Sequence, residues 1–102
     1  MPQFEHIKFG RKFIKVKFEK LKDLDGYFET KLNIIVLDSR IKGKRLFNTI
    51  IHEIFHMIVH HQKIKCRDIS EESLATQIGN NYTKVFKQNP KLWKFLTKLL
   101  KG

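Results

Sequence analysis

Apolar and polar positions change rhythm once along the chain, near Lys44. Before it, short β-rich runs alternate imperfectly. Phe13, Val16 and Phe18 lie among Lys12, Lys15 and Lys17 in a stretch from about Ile7 to Glu19, with a hairpin turn at Gly10-Arg11. Asp23-Leu24-Asp25-Gly26 is a turn signal leading into Tyr27-Phe28-Glu29-Thr30, and the β-branched run Leu32–Leu37 closes at Asp38-Ser39. Three or four strands fit here. After Lys44 the period becomes helical, with Leu46, Phe47, Ile50, Ile51, Ile54, Phe55 and Ile58 recurring at three- and four-residue intervals to about His60. Ser70 caps a second helix whose first turn holds Glu71 and Glu72, where the helix dipole favours carboxylates; it runs to about Gln88. Asn89-Pro90 starts a third, because Asn caps well and Pro suits the first helical position. Strands followed by helices predict an α+β fold, a single domain over residues 1–102.

Composition narrows the class. With 102 residues, 41% hydrophobic and twelve aromatics (nine of them Phe), the chain suits one small folded domain. Its single Cys, Cys66, rules out an intrachain disulfide framework, and its expected place is a loop. The start of the chain lacks an apolar signal region and no apolar run nears the ~20 residues of a membrane span. A soluble, cytoplasmic protein is therefore expected. The balance of 21 Lys and Arg against 10 Asp and Glu leaves +11. It suits a nucleic acid, an anionic surface or an acidic partner. Its plainer reading is Lys on every solvated face, since Arg, which forks onto bases and phosphates, is scarce.

Four of the five histidines fall between positions 52 and 61, and two form His52-Glu53-Ile54-Phe55-His56. Residues four apart on a helix share a face, so both imidazoles can converge on one ion at ~2.0–2.1 Å. On the helical wheel they lie opposite the apolar stripe, whereas core histidines would fall within it. Glu53 is turned about 100° from His52, beside such an ion, where a base takes a proton from water. The His/His/Glu chemistry favours Zn2+. A catalytic zinc usually has three protein ligands. His60 cannot join His52 and His56 around a tetrahedral ion on one straight helix, and no third His follows at a distance of six residues. Glu71 and Glu72 remain, Glu71 lying nearer the face of Leu74, Ile78 and Tyr82. His60 and His61 suit the helix C-terminus. Tyr82 reads as a core residue, with a hydroxyl for chemistry as its alternative.

With these residues assembled, the chain resembles the small phage and prophage zinc metallopeptidases, and more distantly the ImmA/IrrE-type peptidases. The resemblance runs through Asp25–Phe28, Ile34–Leu37, Phe47–His56, Ile69–Ala75 and Val85–Leu92, covering most of the chain in order. Only the His-Glu-x-x-His element is specific by itself. The resemblance implies a minimal zincin-like fold: a small twisted sheet of three or four strands, the metal-binding helix and two further helices. It implies His52 and His56 as ligands, Glu53 as base and Glu71 or Glu72 as a gluzincin-like third ligand. It also implies a peptide or protein substrate, added as a strand along Asn33, Ile34, Ile35, Val36 and Leu37. Met57, where small residues are common, and the basic last helix depart from that pattern. The competing expectation is a non-catalytic binding protein stabilised by zinc, associated with nucleic acid through its basic surface.

Overall fold

The computed structural model describes residues 5–101; the first four residues, part of the polar start considered above, lie outside them. Four strands, β1 (His6–Phe9), β2 (Lys12–Glu19), β3 (Gly26–Glu29) and β4 (Ile34–Asp38), precede three helices, α1 (Gly43–Gln62), α2 (Glu71–Gln88) and α3 (Pro90–Lys101). The fold is α+β, as the change of rhythm predicts.

The strand order is β1-β2-β4-β3. β1 and β2 form the hairpin set by Gly10, whose φ of 63° fits the turn. β2 and β4 are parallel, with Lys15 opposite Ile34 and Lys17 opposite Val36. β3 lies outside β4, antiparallel to it, with Gly26 opposite Leu37 and Glu29 opposite Ile34. The period-2 alternation then decides the faces. Ile7, Phe9, Ile14, Val16, Ile35 and Leu37 point into one core with Ile50, Ile54, Met57 and Ile58 of α1, Val85 of α2, and Leu92 and Leu96 of α3. Phe13 belongs to the other face and is 61% exposed; Ile14 takes the core position beside it.

Polar pins fix the ends of these elements. The Asn89 side chain accepts from the Lys8 N–H and donates to the Lys8 carbonyl, both at 2.7 Å, so it satisfies the outer backbone groups of β1 as a neighbouring strand would. Gln88 adds an acceptor for the Gly10 N–H at 2.9 Å. α1 stops because Lys63 turns left-handed (φ 51°) and Ile64 folds back, buried, with its N–H on the Val59 carbonyl. Ser70 starts α2, its Oγ accepting from the Ser73 N–H at 3.1 Å. Asp38, buried at the end of β4, accepts two bonds from the Arg40 guanidinium, each 3.0 Å. Those bonds, with the Arg40 N–H, hold its carboxyl down at about 2.

Two outcomes follow. A Cβ at Gly26 would lie 2.9 Å from the Val36 carbonyl oxygen and 3.0 Å from Thr49 Cγ2, so Gly26→Ala forces β3 away from β4 or α1. Overpacking of that kind costs ~1–3 kcal/mol, readable by urea denaturation. The Asp38 carboxyl titrates lower folded than unfolded, so its stabilisation is complete above pH ~4 and is lost as pH falls toward 2. Asp38→Asn should flatten the acid limb of a stability-pH curve there.

Candidate metal centre

α1 carries the site because it is two-faced. Its inward stripe is buried, which turns His52 and His56 to solvent, while buried Glu53 lines one cleft with Gly26 of β3. The two Nε2 atoms lie 3.1 Å apart. Two nitrogens on one tetrahedral zinc at ~2.05 Å would be roughly 3.3 Å apart, so the pair fits one ion with a shift of a few tenths of an ångström. A Glu53 oxygen lies within 4.8 Å of both. Among the described residues these three form the convergent group of ligating side chains.

Glu53 is only 4% exposed, and burial pushes its carboxyl upward, an effect the two neighbouring imidazoles oppose. It is a base of raised affinity for protons, held next to the histidines but out of bulk water. A cleft of about 790 Å³ opens from His52 and Glu53 toward the N-terminal end of α1, lined also by Leu24, Asp25, Arg45, Asn48 and Thr49. Its far wall is fixed by Arg45, which donates from Nε and Nη2 to the Asp25 carboxylate at 2.8 and 2.6 Å, tying the turn before β3 to the first turn of α1. That pair lowers the Asp25 pKa. Arg45, Asn48, Thr49 and His52 recur at three- and four-residue spacing, a polar stripe readable in the sequence but eclipsed there by the apolar one.

The third-ligand expectation is not met by this arrangement. Glu71 and Glu72 are exposed in the first turn of α2 and stand outside the convergent group. The reason is how α2 packs: Tyr82, about three turns further on, is the residue that reaches α1, donating to the Ile51 carbonyl at 2.6 Å. Glu71 thus lies ~16 Å along α2 from the point where that helix meets α1. The same bond decides Tyr82 itself. Its hydroxyl is committed to α1, and burial raises its pKa to about 12.

The substrate strand expected along Asn33–Leu37 is corrected by the topology. β4 has β2 on one side and β3 on the other, so Ile34, Ile35 and Val36 offer no free backbone edge. Asn33 precedes β4 with φ 58°, and its Oδ1 accepts from His61 Nε2 at 2.7 Å. Lys12 Nζ lies 3.0 Å from His61 Nδ1, a contact in which the ammonium donates. Burial first, then Lys12 and His60, lower the His61 pKa. His61 thus joins α1 to β2 and β4, and His60 packs edge-on against Phe28. Met57 is fully buried beneath the site.

Neither a family model, nor a curated protein, nor a solved structure matches the chain. Among the described residues no helix is long and apolar enough to cross a membrane.

Elemental analysis tests the geometry directly. The purified chain should hold one equivalent of divalent metal, which His52→Ala with His56→Ala abolishes. Glu71→Gln and Glu72→Gln should leave metal affinity within about twofold of the parent, because the structure keeps both away from the histidines.

Proposed function

We propose that the chain is a zinc-dependent peptidase of the small phage type. The observation that carries this reading is the pairing of two convergent, exposed imidazoles with a buried carboxylate of raised pKa, at the head of a cleft. A structural staple needs the ligands but has no use for Glu53 in that state. His52 and His56 would hold the ion, which when bound would polarise the scissile carbonyl and make a water molecule acidic enough to react near neutral pH.

The chain's own residues supply the rest. Glu53 takes the proton of the attacking water and passes it to the departing amine. Its raised proton affinity suits both halves of that transfer. Substrate is held by the sheet edge next to the site, which is β3. The Asp38 N–H bonds to the Asp25 carbonyl, so in this antiparallel pair the bonded partners are Asp25/Asp38, Tyr27/Val36 and Glu29/Ile34. Gly26 and Phe28 consequently direct their N–H and C=O away from β4, and an extended peptide can pair with them alongside Glu53.

The test is hydrolysis of a peptide pool by the zinc-loaded full chain, read by mass spectrometry. Cleavage is expected with the parent, and Glu53→Gln should lower the rate by about 10²–10⁴ while retaining the metal. Equal cleavage by the Glu53→Gln protein would remove the proposed base; a zinc-loaded parent that leaves the pool intact would return the site to a structural role.

A further inference from the structure

The helices pack on one face of the sheet, and the opposite face carries a pattern that the metal centre does not use. Alternation and register put His6 and Lys8 of β1, Phe13, Lys15 and Lys17 of β2, and Tyr27 of β3 on that outer face, with Ile34 and Val36 of β4 between. Phe13 is 61% exposed and Tyr27 39%. Both rings are open to a flat ligand, and lysines share the face with them. Lys8 Nζ lies 5.7 Å from the Phe13 ring centre, and the His6 ring meets Phe13 edge-on at 6.3 Å. Among the described strand residues the carboxylates on the face are at its margins: Glu19 and Asp38 at one end and Glu29 at the other. Asp38 is already occupied by Arg40, and Glu29 by the Leu32 N–H.

We propose that this face binds single-stranded nucleic acid, with bases stacked on Phe13 and Tyr27 and phosphates drawn to Lys8, Lys15 and Lys17. Stacking on aromatic side chains combined with a basic track is how single strands are held without sequence readout. The spacing fits. Tyr27 is level with Lys17, four residues along β2 from Phe13 and two strands across, which puts the rings roughly 16 Å apart, a span of a few nucleotides. Half-buried Ile34 lies between them, over a Val36 that its neighbours already cover. A duplex, whose bases are stacked inside, cannot use the two rings. The scarcity of Arg, which argues against base-edge recognition, is no obstacle to a stacking platform. The inference is independent of the metal centre, which lies on the other side of the sheet.

Fluorescence anisotropy of labelled twelve-nucleotide oligo-dT and oligo-U strands with the full chain tests it. Phe13→Ala and Tyr27→Ala should each weaken binding by roughly tenfold, and Phe13→Trp should restore it. Lys15→Gln with Lys17→Gln should reduce the slope of log affinity against log salt by about 1.4, from two lost phosphate contacts. The equal charge change Lys94→Gln with Lys98→Gln on α3 should leave affinity within about twofold. Circular dichroism confirms that each variant is folded. The proposal is overturned if neither strand binds, or if the alanine variants bind as the parent does. Equal loss from the α3 pair would also overturn it, by reducing the effect to net charge. So would a blunt duplex or polyglutamate binding as tightly as the single strand, the latter pointing to an acidic protein partner.

Discussion

The packing of Ile50, Ile54, Met57 and Ile58 of α1 onto the inner face of the sheet is the contact from which the rest of the molecule takes its geometry. Each such side chain contributes ~1.5–3 kcal/mol on burial, and a domain of this size has few to spare. Because a helix has only 360° to distribute, fixing that stripe also fixes the others. His52 and His56 must face away from the sheet, and Glu53, between the two directions, must sit at the seam with β3. The proton affinity of Glu53 is thus a by-product of core packing: the contact that stabilises the fold is what removes its carboxylate from water.

The seam is held by close approach and by charge. Gly26 lets β3 come within van der Waals distance of both the Val36 carbonyl and Thr49, and the Arg45–Asp25 fork anchors the same segment at the far wall of the cleft. These contacts link the sheet edge to the helix bearing the histidines, so the close approach at Gly26 and the Arg45–Asp25 fork together set the distance between the histidines and the edge. At the far end of α1, His61 does a comparable job through Asn33 and Lys12.

The sheet therefore has two unlike faces. The inner one is paired with helices and frames the proposed peptidase site; the outer one presents aromatic rings among lysines. The chain's excess positive charge is distributed along its length, and on the outer sheet face it lies beside the exposed rings of Phe13 and Tyr27. The proposed binding of single strands rests on that combination more than on the net charge of +11.

The sequence by itself determined the elements and the core of the site. Helical and strand periods are local properties, so the α+β order, the Gly10 hairpin, the Ser70 cap and the Asn89-Pro90 junction were legible. So was the shared solvent face of His52 and His56, since four-residue spacing on a helix settles it. Tertiary structure decided what depends on residues distant in the chain. It inserted β4 between β2 and β3, which moved the free sheet edge from Ile34–Val36 to Gly26 and Phe28. It seated α2 through Tyr82 on Ile51, which carried Glu71 and Glu72 away from the histidines. It turned Asn89 from a simple cap into a partner for β1. Strand order and helix offset follow from which apolar surfaces fit together in space, and no local spacing along the chain records that.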